Sequence, residues 1–299
     1  RLPVHSKNPI LMLFNSIILV FIILFYNISI VHVRSRAPAW SCLFATKITR
    51  RKLVTTFHGT YKFNNPIKKF YNSIMVRSDL IIAGSNFIFS HINENYSKYF
   101  NLKKKFLVIF RGINVDYFEP STTIETEENN LLSNWGMTRE KKIILMPGRL
   151  TKWKGQEIFI EALNLVNKKL GYQSFFAAIL GNDQGRDVYT KKIKRLAEQY
   201  RLTGQLRFIK HCQNMPLAYK ISDLIVSASM EPEAFGRVAV EAQSMEKVII
   251  ASNIGGSNET IIQNKTGFLF EAGNSESLSK KIIEVLNLDE STLKSMGIE

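Results

Sequence analysis

Residues 9–31, PILMLFNSIILVFIILFYNISIV, carry no charge, and beyond them the chain settles into short apolar runs alternating with segments of helical periodicity. Asn15, Ser16, Asn27 and Ser29 interrupt the first run. The pattern predicts a buried helix of about 17 residues, then a strand at 28–33 that is apolar on both faces, as a central parallel strand is. A membrane span, which needs about 20 apolar residues, is the competing reading. Helices are predicted at 39–49, 66–76 and from a Ser85 cap to about Asn95, and strands at 53–57, 80–83 and 106–110. Residues 119–140 turn polar and acidic and read as a linker. The alternation then resumes, with strands at 143–147, 175–180, 206–210, 224–227, 248–251 and 267–270. Helices fall between them at 156–170, 188–200, 216–221, 237–245 and 259–263, and a last one begins at Ser275. Alternating helices and short apolar strands mean βαβ units and parallel sheets. The expected fold class is α/β: two Rossmann-like domains, 1–118 and 141–299, joined by 119–140 and facing each other across a cleft.

Composition narrows the partners. The 299 residues are 45% hydrophobic and carry a net charge of +15, which favours an anionic partner such as a nucleotide or an acidic bilayer face. Nucleic acid is disfavoured, because the basic residues are scattered rather than interleaved with aromatics. Cys42 and Cys212 show no metal spacing and read as free thiols in a reducing compartment. His5, His32, His58, His91 and His211 form no ligand pair, so no metal is expected. Arg1 is not an initiator Met and lacks a signal-peptide n-region after it.

Candidate chemistry gathers at predicted carboxyl ends of strands, where open α/β sheets bind ligands. Glu233 and Glu241 flank seven residues, with Ala234, Phe235, Gly236 and Arg237 following the first. Glu233 falls on the loop after strand 224–227 and Glu241 on the second turn of the next helix, so each carboxylate is placed to accept a pair of vicinal hydroxyls. The amides of Phe235 and Gly236, at that helix's N-terminus, suit an anionic or hydroxyl-rich ligand. Gly148 ends strand 143–147 and permits close backbone approach, while Arg149 and Lys154 offer a planar fork and a compact charge for a phosphate pair. In the first half His58 ends strand 53–57 beside Gly59, where it can hydrogen-bond a donor-sugar hydroxyl near the reacting carbon, and Arg34, Arg36 and Arg111 follow strands at the same edge as candidates for an anionic acceptor.

Together Gly148-Arg149-Leu150 with Lys154-Gly155, the Glu233-x7-Glu241 segment, Gly255-Gly256 with Glu259, and Gly267-Phe268-Leu269 resemble the family 4 retaining glycosyltransferases. The wording VHVRSRAPAWS, TTFHGTY and DLIVSASMEPEAFGRVAVEAQ is similar to bacterial members of lipopolysaccharide core synthesis. The resemblance covers essentially the whole chain and implies a GT-B fold. It also implies metal-independent transfer of a hexose-type sugar, with retention, from a UDP- or GDP-linked donor. Arg149 and Lys154 would hold the diphosphate, Glu241 the ribose, and Glu233, Phe235 and Gly236 the donor sugar. His58 would stand near the anomeric carbon, and residues 210–213, His211 among them, would meet the base. A glycolipid or polysaccharide acceptor on the cytoplasmic membrane face would follow. Family members begin with a strand and a glycine-rich loop and end with a crossing helix; the chain is expected to lack these, so a non-catalytic nucleotide-sugar-binding remnant is the alternative. Glu246 stands where the family has Gly, an αL position that costs a residue with a Cβ about 1 kcal/mol or more.

Overall fold

The computed structural model describes residues 2–99, 105–172 and 174–298. The chain forms two compact units, Arg1–Arg111 and Gly112–Glu299. Both are α/β with wholly parallel sheets.

The first unit runs α1 (Pro9–Phe25), β1 (Ile30–Val33), α2 (Arg36–Thr49), β2 (Lys52–Phe57), α3 (Pro66–Asn72), β3 (Leu80–Ala83), α4 (Asn86–Tyr96) and β4 (Lys105–Val108). Its strands lie in sequence order, β1-β2-β3-β4. Polar caps start α1, α3 and α4: the side chains of Asn8, Asn65 and Ser85 accept from the amides of Ile10, Lys68 and Ile88, each satisfying a donor that has no partner within its helix. Strand 106–110 is shorter than expected, and β4 ends at Val108.

The apolar N-terminal run behaves differently from its expectation. Helix α1 has the expected 17 residues, but its buried members are Asn15, Ser16 and Ile23, whereas Leu13, Phe14, Ile17, Phe21 and Phe25 are more than half exposed. The polar residues point inward because they find partners there. Asn15 Nδ2 donates to the Pro3 carbonyl, and Ser41 Oγ of α2 reaches the Met12 carbonyl. Among the described residues, strand β1 pairs with β2 alone and forms the edge of its sheet, not the centre. No helix among the described residues is long and apolar enough to cross a membrane.

The second unit opens with α5 (Glu125–Trp135) inside the segment expected to be a linker. Leu132 and Trp135 pack into the core beside Tyr219, Ala239 and Met245; burying an indole and a leucine gives this stretch a reason to fold that a linker lacks. The division between units accordingly falls at Arg111, before the expected boundary. There follow β5 (Lys142–Pro147), α6 (Gln156–Leu170), β6 (Phe175–Leu180), α7 (Asp187–Gln199), β7 (Leu206–Ile209), α8 (Met215–Lys220) and β8 (Leu224–Ser227). Then come α9 (Arg237–Ser244), β9 (Val248–Ser252), α10 (Ser257–Thr260), β10 (Gly267–Phe270), α11 (Ser275–Leu286) and α12 (Glu290–Ile298). Helix α10 ends three residues before its expected limit, at Thr260.

The sheet order is β10-β9-β8-β5-β6-β7. From β5 the chain first winds outward through β6 and β7, then returns to β8 on the other side of β5. Between β5 and β8 the winding reverses, which opens a crevice at their carboxyl ends. Apolar layers cover both faces: Phe159, Leu163, Ile193 and Leu278 on one side, and the α5, α8 and α9 residues on the other. Glu246 takes φ 55 in the turn after α9, the αL conformation expected of it.

Candidate active site

Three loops meet above the β5–β8 crevice. The β5 loop runs through Gly148 and Arg149 into a one-turn 3₁₀ helix, Lys152–Lys154, and Gly155 caps α6 at φ 75. A Cβ on Gly155 would lie 1.9 Å from the Ala228 carbonyl oxygen, and one on Gly181 would lie 1.9 Å from that of Gly148. Only a residue without a side chain lets these backbones approach so closely. The Met230 amide donates to the Trp153 carbonyl at 2.7 Å, fixing the β8 loop to the β5 loop. The third loop, after β9, supplies Gly256, whose amide donates to the Glu233 carbonyl at 2.8 Å.

This scaffold puts charge opposite charge. Lys154 Nζ sits 2.6 Å from Glu233 Oε1, with side chains 12% and 14% exposed, and Ser229 Oγ donates to the same oxygen. Desolvation strengthens the attraction but leaves neither group much water. Gly236, at φ 84, starts α9, and one turn on, Glu241 is held at both oxygens. Arg237 donates to Oε1 at 2.8 Å and the Tyr219 hydroxyl to Oε2 at 2.9 Å. Burial, followed by the neighbouring Glu241 carboxylate, raises the Tyr219 phenol well above its ordinary pKa, so it stays a donor. Arg149 is exposed, its guanidinium 5.9 Å from the Trp153 ring centre.

The structure thus brings Gly148, Lys154 and Glu233 into one group, the Lys154 side chain passing 3.6 Å from a Cβ position on Gly148. Phe235 and Gly236 are buried under the Gly255–Gly256 turn, where a Cβ on Gly256 would lie 2.5 Å from Phe235 Cα. They are enclosed rather than projecting from the loop, and Ala234 beside them is half-buried. His211 is exposed after β7, two strands from β5.

The first unit holds His58 and Gly59, expected beside the donor sugar, and Arg34, Arg36 and Arg111, expected on the acceptor side. Arg34 Nε donates to His58 Nε2 at 2.7 Å. A neutral imidazole accepting there carries its proton on Nδ1, and among the described residues His58 Nδ1 has no hydrogen-bond partner. Gly59 follows with open space where a Cβ would stand. Arg36 is held inside the unit, donating to Asn72 Oδ1 at 2.8 Å with its guanidinium 4.5 Å from the Tyr61 ring centre. The Arg111 side chain lies along Gly84, 3.5 Å from its Cβ position. Tyr219, Ser229 and Trp153 were not expected at the site. A tyrosine in a core helix and a serine four residues before a glutamate carry no signal in sequence.

The model for glycosyl transferases group 1 matches residues 129–297, and that for glycosyltransferase family 4 matches residues 1–117. The chain belongs to the group 1 glycosyl transferases. A crystal structure of a glycosyltransferase from Rickettsia africae is 41% identical, superposes with a TM-score of 0.88, and spans 98% of this chain and 76% of its own. The Anabaena protein HepE, solved with UDP, shares the fold at TM-score 0.81 and 22% identity, over 94% of this chain and 74% of its own. Among curated relatives, the D-inositol 3-phosphate glycosyltransferase of Corynebacterium urealyticum is 24% identical over 73% of this chain and 50% of its own length. An uncharacterized Methanocaldococcus jannaschii glycosyltransferase is 27% identical over 82% of this chain and 61% of its own. The chain therefore spans about half to three-fifths of these two relatives' lengths. The fold class is that of the GT-B glycosyltransferases found among its structural neighbours.

Proposed function

We propose that the protein moves a hexose-type sugar from a nucleoside diphosphate sugar to a hydroxyl of a cell-envelope glycolipid or polysaccharide, such as a lipopolysaccharide core, with retention and without a metal. The observation that carries this reading is the Lys154–Glu233 pair at the reversal point of the second sheet. It sets a phosphate-binding cation directly beside a carboxylate that can accept sugar hydroxyls. HepE, the same fold, has been crystallised with UDP and with UDP-glucose, which makes uracil the base to try first. As the donor enters, its diphosphate replaces Glu233 as the partner of Lys154, and Arg149 completes the clamp. The freed Glu233 takes the sugar, and Glu241 the ribose. The bond from C1 to the phosphate oxygen breaks, the acceptor oxygen bonds to C1 on the same face, and its proton passes to the leaving phosphate. A net charge of +15 supports work against an anionic surface, the cytoplasmic face of a membrane.

Calorimetric titration with UDP, GDP and ADP, without metal, tests the donor site; micromolar binding of one is expected, and binding of none rejects the reading. Transfer is tested with the matching nucleotide sugar on membrane glycolipid. Arg149→Ala should lower kcat about 100-fold, the typical loss when one transition-state charge stabiliser goes, while changing affinity for the intact nucleotide sugar far less. Nucleotide binding with no transfer to any acceptor would favour a non-catalytic binding protein.

A further inference from the structure

The Glu241 carboxylate is gripped by Arg237, inside the Glu233-x7-Glu241 segment, and by Tyr219, which no motif announces. A carboxylate offers about four lone-pair sites, two on each oxygen. Tyr219 takes one on Oε2 and Arg237 one on Oε1, which leaves one on each oxygen. Two parallel acceptors on one rigid carboxylate match two adjacent hydroxyls. The Tyr219 ring is fully buried, packed edge-on against Phe118 with centroids 5.9 Å apart. Its hydroxyl has no room to turn away. Arg237 reaches the other oxygen from the next turn of the same helix, four residues before Glu241. One grip is anchored in the core and the other stands at the surface, where the arginine side chain is 58% exposed.

We propose that Tyr219 and Arg237 are positioning residues that hold the Glu241 carboxylate in the one rotation able to receive both hydroxyls of a cis-diol, and that they thereby set the preference for a ribose over a sugar lacking those hydroxyls. This rests on the assignment of Glu241 to the ribose. Tyr219 touches no ligand in this scheme; it acts only through the carboxylate. Without its hydroxyl, Oε2 loses a donor at a site where the side chain is 11% exposed, and the carboxylate can rotate or draw in water.

The test uses the full chain and two families of probes: UDP, GDP and ADP, and their 2′,3′-dideoxy counterparts. Wild-type protein is expected to bind one ribonucleotide at least tenfold more tightly than its dideoxy form. Tyr219→Phe keeps the ring and its packing. It should lose about tenfold in affinity for the ribonucleotide and almost nothing for the dideoxy form, collapsing the preference. Arg237→Gln, at an exposed position that cannot upset the core, should erode the preference in the same way. It serves as the second arm should the Phe variant fold poorly. Equal losses on both probes would mean a general structural defect and would overturn the proposal, as would an unchanged preference in both variants. Glu241→Gln separates the two levels. If it abolishes the preference while Tyr219→Phe and Arg237→Gln retain it, Glu241 binds the ribose and the positioning claim fails. If Glu241→Gln leaves the preference intact, or none of the three ribonucleotides binds, the ribose assignment fails and the proposal falls with it.

Discussion

An alanine at position 155 would bring its Cβ to 1.9 Å from the Ala228 carbonyl, at a φ of 75 that L-residues rarely adopt. Gly155→Ala should therefore destabilise the second unit by about 2 kcal/mol or more, seen as a lower urea midpoint, and should abolish nucleotide binding by separating the β5 and β8 loops. Lys247 makes a prediction of the opposite sense. Burial pulls its ammonium pKa down from 10.5 to about 8, and its Nζ donates to the Lys220 carbonyl at 2.9 Å. The folded state binds fewer protons than the unfolded one between those values, so this residue's contribution to stability grows as pH rises from 8 to 10.5 and is lost as pH falls. Lys247→Met should flatten that slope in denaturant titrations across the same window, by removing the titrating group. At this scale the sequence announces groups joined by short spacing, such as Glu233 and Glu241. It is silent on Tyr219 and Ser229, whose role depends on how α8 and the β8 loop are packed and not on any repeat within them.

Among elements, the burial of α1 and the helical state of α5 depart from expectation for complementary reasons. An uncharged run announces apolar surface but not what faces it, and in α1 the inward positions went to Asn15 and Ser16, which hydrogen-bond there, leaving Phe14, Phe21 and Phe25 outside. In α5 only Leu132 and Trp135 are buried, too few to show a helical period, while Glu125, Glu127 and Glu128 in its first turn suit the helix dipole but look like linker. The strands of the second sheet match expectation to within a residue at each end, because strands covered on both faces are short continuous apolar runs. Replacing Ile17 and Phe21 of α1, 51% and 67% exposed, by Glu should change thermal stability little. It should sharply cut the fluorescence of a hydrophobic dye such as anilinonaphthalene sulfonate. A loss of stability above about 1 kcal/mol would mean that these residues are packed in solution.

For the whole molecule, two units with separate cores predict two calorimetric transitions rather than one. A nucleoside diphosphate at 100 times its Kd should stabilise only the second by about 2.7 kcal/mol. A shift of both by the same amount would show the units unfolding together. The second unit's site also has a history within each molecule's synthesis. Lys154 and Glu233 are 79 positions apart, and the brace on Glu233 comes later still, from Gly256. At roughly 5 to 20 residues per second, about 5 to 20 seconds separate the making of Lys154 from that of Gly256. A nascent chain stalled in that interval has the cation but not the braced carboxylate. Nucleotide in the cell can then reward only a chain that has passed Gly256, and retention on a nucleotide resin becomes a reporter of synthesis beyond that point.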